Sequence, residues 1–121
     1  MKNHVLIIES DDGIIELLEC RLDLLKVSYS VAKSAKEARV HLKKHRPSWV
    51  ILSLKLPDQN GLSLIQKIKK MPFHPPRVIV YSMQDDPNTT QLAYALGADE
   101  FVSKMEPVSY LFEVVLQSSV G

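Results

Sequence analysis

The residues best suited to chemistry in this chain form four short polar clusters, each directly after an apolar run. Glu9-Ser10-Asp11-Asp12 follows Val5–Ile8, Ser53 follows Trp49–Leu52, Ser82-Met83 follows Val78–Tyr81, and Ser103-Lys104 follows Phe101-Val102. Carboxylates of this kind suit a hard cation such as Mg2+, and an ammonium group can meet phosphoryl oxygens. A serine hydroxyl is a weak nucleophile until a neighbouring base takes its proton, and Glu9 is the candidate base for Ser53. Each group also has a plain structural reading. Asp11 and Asp12 can cap a helix, Ser53 can fill a strand end, and Lys104 can be a surface lysine.

The elements that must position these clusters alternate regularly. Val5–Ile8, Trp49–Leu52 and Val78–Tyr81 are continuous apolar runs, the pattern of strands buried on both faces. Val27–Val31 and Phe101-Val102 complete a set of five predicted strands. Between them, apolar residues recur at helical spacing: Ile14, Leu17, Leu18, Leu22 and Leu25; Ala35, Ala38 and Leu42 after Ser34; Leu62, Ile65 and Ile68; Ala93 and Leu96 before Gly97; and Val108, Leu111, Phe112 and Val115. Strict alternation of strand and helix predicts an α/β fold, a doubly wound parallel five-stranded sheet built as (βα)5 with right-handed crossovers. Such sheets bind ligands outside the carboxyl ends of their strands, where the four clusters fall.

Composition narrows the function classes. The 121 residues have the length of one domain. Fifteen basic residues against 14 acidic ones give no bulk signature of nucleic-acid or membrane binding. No apolar run reaches the roughly 18 residues of a membrane span, and the start of the sequence lacks the pattern of a secretory leader, so a cytoplasmic protein is expected. Cys20 is alone, which excludes a disulfide framework within the chain. His4, His41, His45 and His74 sit on different predicted elements, so no zinc or triad geometry is expected. There is no phosphate-binding or dinucleotide glycine motif, and Glu9-Ser10-Asp11-Asp12 would repel a phosphate. An enzyme is not expected.

The clusters and their order resemble the response-regulator receiver domain, a chemotaxis-type, flavodoxin-like module with strand order 2-1-3-4-5. Leu54-Lys55-Leu56-Pro57-Asp58 and Gly61 match its loop after strand three, and Gly97-Ala98-Asp99-Glu100-Phe101-Val102-Ser103-Lys104 matches its approach to the lysine after strand five. The resemblance spans nearly the whole chain and implies a single receiver domain over residues 1–121, in two-component signalling. It also implies an acidic pair after strand one, a phosphorylated aspartate after strand three, a Ser or Thr after strand four, and a partner surface on helix four, strand five and helix five.

Two positions depart from that pattern, and both are at the chemistry. Ser10 stands where the resemblance implies a carboxylate ligand of Mg2+, and Ser53 where it implies the phospho-acceptor. The implied family site balances three carboxylates with Mg2+ and one lysine. Glu9 and Lys104 balance each other without metal, so lost or weak Mg2+ binding and a Lys104–Glu9 ion pair are expected, with Ser53 as a neutral neighbour. Ser82 and Phe101 match the implied switch pair, although Phe101 also reads as ordinary core. Met83 replaces a smaller residue and would crowd the approach of a phosphoryl donor. The expected function is an atypical receiver acting through phosphorylation-independent protein contacts. The alternative is a receiver still gated by phosphate, or by a small ligand in the vacated pocket.

Charge is unevenly distributed along the chain. Residues 33–46 carry Lys33, Lys36, Arg39, Lys43, Lys44 and Arg46 against Glu37, whereas residues 84–121 carry Asp85, Asp86, Asp99, Glu100, Glu106 and Glu113 against Lys104. The acidic stretch reads either as a solvated face or as one that steers a basic protein partner, or a second copy, on encounter. Nucleic-acid binding by the basic stretch has no motif to support it.

Overall fold

The computed structural model describes residues 4–72 and 74–120, with side chains through residue 115. Its elements run β1 (His4–Ile8), α1 (Asp12–Leu24), β2 (Ser28–Ala32), α2 (Ala35–His45), β3 (Trp49–Leu52), α3 (Leu62–Lys69), β4 (Arg77–Ser82), α4 (Pro87–Ala95), β5 (Glu100–Ser103) and α5 (Val108–Val120). All strand pairs are parallel and the order is β2-β1-β3-β4-β5, as expected. No helix among the described residues is long and apolar enough to cross a membrane.

The apolar runs are buried on both faces because the pleat sends alternate residues to opposite helical layers. Leu6, Ile8, Val50, Leu52, Val78 and Val80 pack with Ala35, Ala38 and Leu42 of α2, Leu64, Ile65 and Ile68 of α3, and Ala93 of α4. Val5, Ile7, Trp49, Ile51, Ile79 and Tyr81 face the other way, against Leu18 and Leu22 of α1 and Leu111 and Phe112 of α5. At roughly 1.5–3 kcal/mol for each fully buried large side chain, this double burial dominates the stability of the sheet.

Local chemistry sets the boundaries. The second strand begins one residue later than its apolar pattern predicts. Lys26 takes a left-handed φ of 58°, and the Val27 N–H is drawn to the Leu22 carbonyl at 3.0 Å. That bond closes α1, so Val27 belongs to the helix end. Ser34 caps α2 by accepting from the Glu37 N–H, and the Glu37 carboxylate accepts in return from the Lys33 N–H at 2.5 Å, a reciprocal capping pair. Asp58, from the loop after β3, adds acceptors for the N–H groups of Ala35 and Lys36 at 2.9 and 3.0 Å. These bonds hold its carboxyl below the usual carboxylate range.

Two glycines are required by geometry. Gly97 ends α4 at φ 115°, a conformation that strains any residue with a Cβ. Gly61 has ordinary helical dihedrals but no space. A Cβ there would collide with the Ser53 carbonyl oxygen and lie 2.9 Å from the Leu54 Cα. Both are backbone atoms of the segment bearing the site, so Gly61→Ala is expected to cost about 3 kcal/mol, the upper end for overpacking. A urea unfolding free energy within 1 kcal/mol of the parent would show that the loop yields more easily than its packing implies.

Candidate functional site

Ladder hydrogen bonds continue past the strand ends and set the backbone of the site. The Glu9 N–H donates to Ala32 O at 3.0 Å, Ser53 N–H to Ile8 O at 2.8 Å, and Lys104 N–H to Ser82 O at 2.9 Å. Residues far apart in sequence are thereby fixed along one edge of the sheet. Above them lies an open cleft of about 730 Å³ lined by Glu9, Ser10, Asp11, Ser53, Ser82 and Lys104, among others.

The expected ion pair is present. Lys104 Nζ lies 2.5 Å from Glu9 Oε1, with side-chain exposures of 10% and 5%. The second carboxylate oxygen accepts from the Ser10 and Asp11 N–H groups at 2.9 and 3.2 Å. Glu9 thus places its charge on the approach to the N-terminus of α1, where the helix dipole favours an anion. Three of the roughly four acceptor positions of a carboxylate are taken, and none of these bonds goes to Ser53. Lys104 Nζ also lies 5.8 Å from the centroid of the Tyr81 ring. Burial first, and then the Glu9 charge, push the Tyr81 hydroxyl above its usual range, so the phenol is neutral around pH 7.

The other candidates divide by what their side chains touch. Ser53 is 3% exposed at the floor of the cleft. Asp11 is the N-cap of α1, accepting from the Ile14 N–H at 3.0 Å. Asp12, also expected to cap, instead lies inside the first turn and pairs with Lys33 at 2.7 Å. The Ser82 hydroxyl accepts from the Gln84 N–H at 3.0 Å, which turns it toward its own loop. Met83 lines the cleft while remaining 60% exposed. Phe101 is half-buried against the α2–α4 side of the core. Trp49 lies outside the cleft. It starts β3 rather than ending it, about 13 Å away at 3.3 Å per residue, with the Arg77 guanidinium 5.2 Å over its ring.

A family model described as the response regulator receiver domain matches residues 5–116. The chain belongs to that family. Among curated relatives, the transcriptional regulatory protein KdpE of Staphylococcus aureus is 33% identical over 104 residues, covering 86% of this chain and 44% of that protein. The response regulator protein PilR of Pseudomonas aeruginosa is 30% identical over 114 residues, covering 94% and 25%. This receiver chain therefore spans less than half of the length of either relative. Among solved structures, the signal receiver domain of a DNA binding response regulator from Colwellia psychrerythraea superposes with a TM-score of 0.91 at 24% identity, covering 99% of this chain and 100% of that one. The BeF3-activated receiver domain of Klebsiella pneumoniae RstA gives 0.87 at 18%, covering 95% and 97%. These two likenesses show the fold.

Receiver domains are regulatory modules of two-component signalling, and they interact with histidine kinases and other proteins. They typically bind Mg2+ at the phosphorylation site. Here the carboxylates at the cleft are Glu9, held by Lys104 and two N–H groups, and Asp11, held by the Ile14 N–H. Among the described residues, no three His, Cys, Asp or Glu are grouped to hold a metal. Two committed carboxylates beside an ammonium and two serines do not fit a hard cation that needs several free oxygen donors.

The acidic stretch proves to be partly structural. Asp86 caps α4, accepting from the Thr89 N–H and hydroxyl at 3.1 and 2.7 Å, and these bonds hold its carboxyl below the usual range. Asp85 accepts from the Ser103 hydroxyl at 2.6 Å. Asp99 joins Lys69 to the Val78 N–H, at 2.8 and 2.7 Å. Glu100, Glu106 and Glu113 have no such internal partner among the described contacts. Sequence reasoning also missed the histidines: His4, His41 and His45 are not scattered but stack together, away from the cleft.

Proposed function

We propose that this receiver domain works by phosphorylation-independent protein–protein contact, as an atypical adaptor or regulatory module of a two-component pathway. One observation carries the reading: Lys104 and Glu9 form a buried pair beside Ser10 and Ser53, where a working site would use carboxylates. The pair is electrically neutral without a cation, so weak Mg2+ binding follows from its chemistry. Among the described residues no base is bonded to Ser53, and the committed carboxylates around it suit a neutralising cation poorly, so the activation that phosphoryl transfer requires is weak.

The contact surface we favour is the acidic face of α4, β5 and α5. Glu100, Glu106 and Glu113 are its free charges, since Asp85, Asp86 and Asp99 are used internally. A basic protein partner, or a second copy of the chain, would be steered to it. Residues 1–121 are read as one receiver domain in the cytoplasm, with no nucleic-acid or membrane partner. Transcriptional control is named for relatives such as KdpE, which are much longer than this chain.

A second reading has the open cleft in its favour: about 730 Å³ can admit a small ligand that acts in place of the phosphoryl group. Incubation with a small-molecule phosphodonor and Mg2+, followed by intact mass measurement, tests the first reading. The expected spectrum is unchanged. A stable gain of about 80 Da, one phosphoryl group, would overturn it.

A further inference from the structure

At the opposite end of β1 from the cleft, three imidazoles form a stack. His45 lies between the other two, with ring centroids 5.3 Å from His4 and 5.6 Å from His41, each pair at an interplanar angle of 24°. His4 opens β1, and both of its ring nitrogens are occupied by β2 hydroxyls: Nδ1 with Ser28 at 2.9 Å and Nε2 with Ser30 at 2.8 Å. Its backbone N–H donates to the Ser48 hydroxyl at 3.2 Å, and its carbonyl accepts from the Ser48 N–H at 2.9 Å. His41 and His45 are one turn apart on α2. Together the three rings tie β1, β2 and the end of α2 into one joint.

The rings differ in their surroundings. His45 is exposed and lies in the last turn of α2, where the helix dipole favours a cation. The Nδ1 atom of His41 is buried without a hydrogen-bond partner. In a neutral ring that atom can be a bare acceptor, but an imidazolium must carry N–H on both nitrogens, leaving a buried donor unsatisfied. Burial first, and then the charges of His45 and His41, hold His4 below the ordinary histidine value of 6.5.

The groups around the stack offer little compensation. β2 contributes Ser28 and Ser30, and the turn before β3 contributes Ser48. The last turn of α2 adds Lys43 and Lys44, with Arg46 following. No carboxylate contacts any of the three rings among the described residues. Glu19 and Asp23 act on Tyr29, whose side chain packs on the opposite face of the sheet. Both ring nitrogens of His4 are already engaged by hydroxyls, so the three rings do not offer a metal a common set of free donors.

We propose that the His4–His45–His41 stack is a proton-sensitive joint whose closely stacked rings resist a second proton, and that the β1–β2–α2 edge loosens when acid forces one onto it. The sign follows from linkage. A histidine whose folded value is depressed contributes stability fully above its unfolded value, near 6.5, and loses it as pH falls through that value toward the folded one. Coulomb repulsion at these separations weakens uptake of the second proton between roughly threefold and a hundredfold, depending on the local dielectric.

The test is an NMR pH titration of the histidine rings in the whole chain, with amide-exchange protection of β1 and β2 followed from pH 7 to pH 5. The expected result is a His4 midpoint displaced downward. Protection along the β1–β2 edge should fall at least tenfold beyond any change in the rest of the sheet. His45→Gln, at an exposed position, should raise the His4 midpoint and reduce that loss, whereas His74→Gln should change neither. A His4 midpoint near 6.5 would overturn the proposal. So would a displaced His4 midpoint with constant edge protection, or a His45→Gln protein that loosens as the parent does.

Discussion

Replacing Ser10 and Ser53 together by aspartate is expected to create a Mg2+ site where the parent has an unsuitable one. Ser10→Asp supplies a second carboxylate beside Glu9, and Ser53→Asp adds a third at the buried floor of the cleft. Without metal these like charges repel, because a buried position beside Glu9 disfavours ionisation. The metal-free double variant should therefore be less stable than the parent by about 1–3 kcal/mol. Mg2+ relieves that repulsion, so binding should appear with a dissociation constant of about 1 mM, equivalent to about 4 kcal/mol. The gain should be at least a hundredfold over the parent, read by calorimetry and by a thermal midpoint that rises with Mg2+ only in the double variant. The same variant should gain about 80 Da from a phosphodonor, whereas Ser53→Asp alone should gain far less for want of the second ligand. A folded double variant that ignores Mg2+ would show that the two serines are not what sets the chemistry. Met83 or the Lys104–Glu9 contact would then be the obstacle.

Breaking the Lys104–Glu9 pair should produce a large loss of stability, comparable with that of Gly61→Ala. Side-chain exposures of 10% and 5% leave little solvent to screen whichever charge remains. Removing one partner of a buried pair typically costs about 3–5 kcal/mol, mainly because the survivor is left uncompensated. Lys104→Met leaves Glu9 with only the Ser10 and Asp11 N–H groups, and Glu9→Gln leaves the ammonium against an amide. Each should lower stability by about 3 kcal/mol, a large share of the 5–15 kcal/mol typical of a domain. The double replacement should cost less than the sum of the two by about 1–3 kcal/mol, since neither charge is then stranded. Urea unfolding at pH 7 reads all three, and an unchanged slope would confirm that the native fold is retained. Single variants within 1 kcal/mol of the parent would mean that the contact is effectively solvated. The reading of a self-balanced site would then fail.

The largest regular features were visible in the chain because each rests on a local pattern. Apolar runs such as Val5–Ile8 and Val78–Tyr81 can be satisfied only by a sheet covered on both faces, and the helices between them impose parallel order. The ion pair was visible for a different reason. Glu9 and Lys104 both follow strand ends on the same edge of the sheet, with no other opposite charge implied beside them. What escaped notice depended on contacts between distant segments. Val27 looks like a strand residue until the Leu22 carbonyl claims its N–H. Asp58 reads as a loop residue, although its carboxylate serves the N-terminus of α2. Asp85, Asp86 and Asp99 count as surface charge in a sum, yet each is bonded within the fold.

The amino-acid sequence by itself determined the (βα)5 order, the four polar clusters that follow strands one, three, four and five, and the presence of serine at residues 10 and 53. These follow from residue identity and from periods of two and 3.6, which need no knowledge of neighbours. Only the tertiary structure decided where side chains point and which of their bonding positions are already used. It committed both oxygens of Glu9, turned Ser82 toward Gln84, left no room for a Cβ at Gly61, and gathered His4, His41 and His45 into one stack. The physical reason is that hydrogen bonding and close packing are short-ranged. Which groups come within about 3 Å of one another is settled when separate strands and helices pack together, and not by their spacing along the chain.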